Sequence, residues 1–242
     1  MKKFPAEFEA LLTKTGRKVL AGTHAELSGV LATGRSRFVG AEGLLDSRKS
    51  KALAKLLDEQ LSELLMPMEQ EIPRSATWGM KVAYKEKLPK TVRVQTAMLD
   101  EDESPALERA KELGLITMLR SQSFHAFAQA LSGYPLRKQW GLQTLCYRPG
   151  DYSGPHNDHH PDEPLGAQGY TDLHLTLCND GVEHQWIVYE KKSHLSEIQS
   201  IATVGGVTCY RLPFWHYTTP LVGSAKARRW VLLGTFLDHW DD

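Results

Sequence analysis

The sequence has no surplus of charge of either sign, no paired cysteines and no long apolar run, and each absence removes a class of function. Lys+Arg and Asp+Glu both number 29, so the formal net charge is +0. No global field draws such a chain to nucleic acid, to a membrane surface or to acidic substrates. Basic residues gather locally in RSRF, SRKSK and KLPKTVRV, which read as a solvated face. The three cysteines, Cys146, Cys178 and Cys209, form no C-x-x-C pair. An odd count without metal spacing fits a reducing compartment, where each acts as a small hydrophobe. No apolar run approaches the ~20 residues that span a bilayer. Glu7 and Glu9 interrupt any signal-like stretch near the start. The expectation is a soluble cytoplasmic protein with no membrane partner. Its oligomeric state is not legible.

What is present is enough apolar material, 41% of 242 residues, to bury a sizeable core. The character of the chain changes near residue 135. Before it, the periodicity is mostly helical: Leu53, Leu56, Leu57, Leu61, Leu64 and Leu65 recur at i, i+3, i+4 spacing. Ser104-Pro105 marks the start of a helix carrying ALERAKELGLITML. SFHAFAQAL is a further helix, stopped by Gly133. KVAYKEK and TVRVQTAML read as strands. After residue 140 the segments LQTLCY, TDLHLTLC, WIVYE, VTCYRL and RRWVLLGTFL are strands separated by Gly, Pro, Asn and Asp. Many short strands with such turns predict a barrel or sandwich. The predicted class is α+β: residues 1–135 form a mainly helical part packed on a β core of residues 136–242, as one structural domain.

GPHNDHHPDEP is the stretch richest in chemistry. His156 and Asp158 are two apart, so an extended backbone would project both side chains to one face. An imidazole and a carboxylate side by side supply two ligands of a 2-His-1-carboxylate facial triad, the ligand set of non-haem Fe(II) oxygenases. His216, in FWHYTTPL, is the candidate third. H-x-D alone is common by chance, and His159, His160, His174, His184 and His194 compete as ligands. A dicarboxylate co-substrate chelating such an iron would also need a cation for its distal carboxylate. The planar fork of an arginine suits this, and Arg228 or Arg229 in KARRWVLLGTF offers it. Strand alternation lets only one of the two point inward.

The order of these pieces resembles the Fe(II)/2-oxoglutarate-dependent dioxygenases, nearest to their prolyl 4-hydroxylase-like branch. The matching pieces are Tyr147, Pro149-Gly150, His156-Asn157-Asp158, Leu177-Cys178-Asn179, Gly205-Gly206, His216 with Pro220, and Arg229-Trp230-Val231. They lie between about Phe124 and Phe236, roughly half of the chain; residues 1–120 match nothing. The resemblance implies a double-stranded β-helix (jelly-roll, cupin-like) core and Fe(II) held by His156, Asp158 and His216. It implies 2-oxoglutarate and O2 as co-substrates, with the C5 carboxylate on Arg229 and Arg228 as the fallback. Tyr147 matches a tyrosine lining the co-substrate pocket, and Gln143 shares its face by parity. Thr176 stands where some relatives carry a tyrosine. Asp172 and His174 share its face, as core-lining polar groups or as substrate contacts.

The implied reaction is hydroxylation of an unactivated C–H bond, with release of succinate and CO2. Asp158 fills the position that halogenating relatives leave open, which favours hydroxylation. Tyr152, His159, Trp186 and Trp215 are the candidate substrate contacts, although Trp186 also reads as core. The Arg-rich end lacks the pattern of nucleic-acid demethylases, which leaves an amino-acid-like small molecule or a protein side chain as substrate. Two other readings stand beside this one: a cupin-type metalloenzyme that does not use 2-oxoglutarate, and a non-enzymatic binding protein on the same β fold.

Overall fold

The computed structural model describes residues 2–73, 76, 89–100, 103–137, 139–158, 169–192 and 194–237. Its helices are α1 (Lys14–Leu20), α2 (Ser47–Gln60), α3 (Pro105–Glu112), α4 (Leu115–Leu119) and α5 (Gln122–Ser132). Local chemistry sets their ends. Asp46, Ser104 and Ser121 each accept a hydrogen bond from the backbone N–H three residues on, capping α2, α3 and α5. Gly133, at φ 77°, stops α5 in the left-handed region that glycine adopts without a steric penalty. The helix predicted across ALERAKELGLITML is two helices, because Gly114 turns left-handed (φ 78°) between α3 and α4. The leucine stripe beginning at Leu53 is also shorter than predicted. α2 ends at Gln60, a 3-10 turn follows, and Leu64 is exposed.

The strands are β1 (Phe38–Ala41), β2 (Met66–Glu71), β3 (Thr91–Met98), β4 (Gln139–Tyr147), β5 (Tyr152–His156), β6 (Tyr170–Cys178) and β7 (Val182–His184). They continue with β8 (Trp186–Lys191), β9 (His194–Ser200), β10 (Val204–Leu212), β11 (His216–Thr218), β12 (Val222–Gly223) and β13 (Arg229–Leu237). Among the described residues, eleven of them join one sheet in the order β1-β10-β6-β13-β4-β3-β5-β11-β8-β9, with β2 beside β3. β7 and β12 form a separate pair. β3 is the hinge of the large sheet, pairing β4 through Gln95–Met98 and β5 through Val92–Arg93. The sheet therefore folds into two walls, β1-β10-β6-β13-β4 and β5-β11-β8-β9. The result is a nearly closed antiparallel barrel of the double-stranded β-helix type. β1, β2 and β3 all come from the stretch predicted to be mainly helical. The strand predicted at KVAYKEK lies outside the described residues.

Alternation divides the large wall into two chemically different faces. Trp230, Leu232 and Phe236 on β13, Leu173, Leu175 and Leu177 on β6, and Val207 and Cys209 on β10 share one face and are all buried. The helices cover it. Leu53 and Leu57 of α2 and Phe124, Phe127 and Leu131 of α5 join these residues in one continuous cluster. Phe124 sits at its centre, with its ring 5.4 Å from Phe8 and 5.9 Å from Phe236. Trp230 donates its indole N–H to Asp58 of α2 at 2.6 Å, tying helix to sheet. The opposite face carries Arg229, Thr235, Asp172, His174, Gln143 and Tyr147, and it lines a cavity. Truncation of the ring joining helix and sheet should therefore be costly. Phe124→Ala should lower the free energy of unfolding by about 3–5 kcal/mol, read from a denaturant midpoint. An unchanged midpoint would show that α5 is not part of the cooperative core.

Candidate metal centre

β5 runs YSGPH and ends at His156. β11 starts at His216, which lies directly opposite His156 in the antiparallel register. Opposed residues share a face, so both imidazoles enter the cavity, with ring centroids 4.4 Å apart. Asp158 reaches them by a route the sequence did not predict. It is not on an extended strand: β5 stops two residues earlier and Asp158 is left-handed at φ 52°. A turn, and not strand alternation, brings its carboxylate to 3.3 Å from His156 Nε2 and 3.5 Å from His216 Nε2. Aspartate tolerates this backbone region better than most residues, and strain of this kind gathers at functional sites. One ligand atom from each of the three residues lies within 4.8 Å of the others.

The hydrogen bonds decide which ring nitrogens face inward. His156 Nδ1 lies 2.6 Å from the Gly154 carbonyl oxygen, and His216 Nδ1 lies 3.0 Å from that of Phe214. A carbonyl only accepts, so each Nδ1 carries the proton and each Nε2 presents a bare lone pair. Burial, then the neighbouring His156, pushes the His216 imidazolium down to about 4, so this ring is neutral at physiological pH. Two imidazole lone pairs and a carboxylate thus converge on one point, where a cation would replace mutual repulsion with three bonds. The donor set, two nitrogens and one oxygen on one side of that point, fits a metal with open positions.

The cavity beyond the triad has a volume of about 710 Å³. On its far wall Arg229 is 2% exposed. Its Nε donates to the Ile201 carbonyl at 3.0 Å, and one terminal nitrogen donates to Gln185 Oε1 at 3.1 Å. Its guanidinium lies 5.0 Å from the centre of the Tyr147 ring. Among the described residues no carboxylate pairs with it, and it lines the cavity. Arg228 faces the other way, spent on the carbonyls of Ala225 and Ala227. Gln185 escaped sequence reasoning. It is fully buried, holds Arg229 with its oxygen, and donates its amide to the carbonyls of Thr219 and Asp151 at 2.9 and 3.3 Å. No local pattern marks it; its environment is made by three separate segments.

The other predicted residues fall in different places. Tyr147 lines the cavity, with its hydroxyl 3.3 Å from Ser153. Gln143 also lines it, further along β4, where its amide is bonded to Thr96 at 2.9 Å. Thr176 is buried beside Val231 but does not itself line the cavity, and its hydroxyl has no partner among the described residues. Tyr152 and Trp215 do not line the cavity; the Tyr152 hydroxyl is bonded to Thr91 at 2.6 Å. Trp186 is neither core nor cavity but 37% exposed on β8. His159, with His160, lies outside the described residues. His184 and His194 lie on exposed strand positions, away from the triad.

No protein-family model and no curated protein matches the chain in sequence. Solved structures do match its fold. A prolyl-4-hydroxylase from Pseudomonas putida superposes with a TM-score of 0.54 at 15% identity, covering 92% of this chain and 100% of that one. An oxidoreductase of the 2OG-Fe(II) oxygenase family from Burkholderia pseudomallei gives 0.55 at 13% identity, covering 93% and 91%. A prolyl hydroxylase from Trichoplax adhaerens, in complex with a peptide fragment of hypoxia inducible factor, gives 0.52 at 14%, covering 93% and 91%. Over nearly its whole length, the chain has the fold of these 2OG-Fe(II) oxygenases.

Proposed function

We propose that the chain is an Fe(II)- and 2-oxoglutarate-dependent oxygenase that hydroxylates an unactivated C–H bond of a small molecule or a protein side chain. One observation carries the reading. A single cavity contains a three-acceptor cluster built for a cation and, on another wall, a buried arginine with no acid partner among the described residues. A buried guanidinium without a counter-charge is costly, and a ligand carboxylate would offset that cost. A metal-chelating dicarboxylate satisfies both ends at once. The likeness of fold to the 2OG-Fe(II) oxygenases supports the same assignment.

His156, Asp158 and His216 would hold the iron, and the two backbone carbonyls on Nδ1 fix the orientation of the imidazoles. When bound, iron with 2-oxoglutarate and O2 supplies the oxidation, and the co-substrate leaves as succinate and CO2. Arg229 would take the distal carboxylate through the part of its fork that opens on the cavity. Gln185 and the Ile201 carbonyl keep that fork aimed before any ligand arrives, so little ordering is needed on binding. Tyr147 packs against the guanidinium. Val231, Leu233 and Leu145 line the cavity and give it an apolar stretch.

Fe(II) and 2-oxoglutarate added together without oxygen should give a metal-to-ligand charge-transfer band, and oxygen should then release succinate. Folded protein with neither band nor succinate would sink the proposal. In anaerobic melts, Fe(II) at a hundredfold excess over its Kd should stabilise the protein by about 2.7 kcal/mol, and Asp158→Ala should abolish that gain. Arg229→Leu should raise the 2-oxoglutarate requirement roughly 30-fold or more, with Arg229→Lys between the two. Activity indifferent to Arg229→Leu would favour a metalloenzyme that does not use 2-oxoglutarate.

A further inference from the structure

The cavity holds two carboxylates that the metal reading does not use. Asp172, on the inward face of β6, is 7% exposed, and its Oδ1 is buried with no hydrogen-bond partner among the described residues. Its Oδ2 is 3.7 Å from His174 Nε2, beyond hydrogen-bond reach. His174 Nε2 itself is buried and unpartnered. Asp100, two residues past β3, accepts from the Leu142 backbone N–H at 2.7 Å through Oδ2, while its Oδ1 is likewise buried without a partner among the described residues. Among the described residues, no basic side chain pairs with Asp100, and His174 alone pairs with Asp172.

The register places these two acids in one row. Thr235 of β13 is opposite Gly141 of β4 on one side and Asp172 of β6 on the other. Gly141 has no side chain, and the Asp100 carboxylate lies over it: a Cβ there would be 3.5 Å from Asp100 Oδ2 and 3.5 Å from Thr235 Cβ. Two strand spacings, about 10 Å, therefore separate Asp172 from the Gly141 backbone over which the Asp100 carboxylate lies. All of these groups line the same cavity as the triad. The Tyr210 ring links the two regions, with its centroid 4.5 Å from that of His174 and 5.5 Å from that of His216.

Charge decides what the row is for. At the iron centre, the positive charges of Fe(II) and Arg229 are matched by Asp158 and the two carboxylates of 2-oxoglutarate. Among the described residues, Asp100 and Asp172 are then left with no cation but His174 beside them, an arrangement that costs free energy until a cation arrives. We propose that Asp100, Thr235 and Asp172 form a cation seat, and that the substrate oxidised here carries an ammonium or guanidinium group. The inference rests on the oxygenase reading above. With the charged nitrogen seated beyond Tyr210, the carbon presented to the metal lies a few bonds along an aliphatic chain, as in lysine-like or arginine-like molecules.

The test is calorimetric titration of protein loaded anaerobically with Fe(II) and 2-oxoglutarate. The cationic probes are L-arginine, L-lysine and agmatine, and the neutral ones are L-citrulline and L-norleucine. Blocked tripeptides with a central Arg or Lys distinguish a protein side chain from a free amino acid, and binding of either form supports the seat. At least one cationic probe should bind about tenfold or more tighter than its neutral counterpart. Asp172→Asn and Asp100→Asn should each erase that preference; the second, at a less buried position, keeps the test open if the first fails to fold. Equal binding of citrulline and arginine, or no binding of any cationic probe, would overturn the seat. Should the charge-transfer band be missing, the oxygenase reading falls separately, and the same titrations on metal-free protein still decide the seat.

Discussion

Everything about this molecule depends on period-two alternation along β4, β13, β6 and β10. One face of that wall is apolar and the other polar, so the sheet must be covered on one side and left open to a ligand on the other. Trp230, Leu232 and Phe236 draw α2 and α5 onto the outer face. Their neighbours Arg229, Val231, Leu233 and Thr235 then have no choice but the interior. A slip of one residue would bury Arg229 among the phenylalanines and expose Trp230 to the cavity. The same register that gives the core its cohesion therefore sets the floor of the site.

The smaller wall contributes rigidity of a different kind. His156 and His216 face each other across a ladder, and each imidazole is held by a carbonyl two residues before it in its own chain. The ligand geometry thus depends on local backbone more than on distant side chains. Arg229 is positioned by the opposite strategy, since Gln185, Ile201 and Tyr147 come from three separate segments. Changes in the loops around β8 and β9 can reach the arginine while leaving the two imidazoles in place.

These differences explain what could be read beforehand. LQTLCY, TDLHLTLC, VTCYRL and RRWVLLGTFL were legible as strands because one face of each meets a core. β2 (MPMEQE) and β9 (HLSEIQS) were not, because both lie largely exposed and are fixed by ladder partners instead of by burial. His156, Asp158, His216 and Arg229 were legible as an ordered set. Their spacing alone does not give the geometry, since Asp158 arrives with a left-handed backbone. Gln185 and Asp100 were invisible: each is a lone polar residue in a connecting segment, and only the fold supplies its neighbours. Trp186 shows the converse, an aromatic flanked by strand residues that nonetheless faces outward.

The inner face of β13 also gives the cavity a direction. From Arg229 through Val231 and Leu233 to Thr235 it passes from a buried cation, across an apolar stretch, to the row that carries Asp100 and Asp172. At ~3.4 Å per residue the two ends are about 20 Å apart along the strand, far enough for each to act on a different part of a bound assembly. A dicarboxylate is attracted at the arginine end and repelled at the acidic end, while a cationic molecule meets the reverse. Selection by repulsion discriminates more sharply than attraction alone, because the wrong orientation leaves two like charges buried together. The apolar middle strengthens both effects by lowering the local dielectric between the two ends. One strand, read at every second residue, thus would keep the proposed place of a co-substrate apart from that of a substrate.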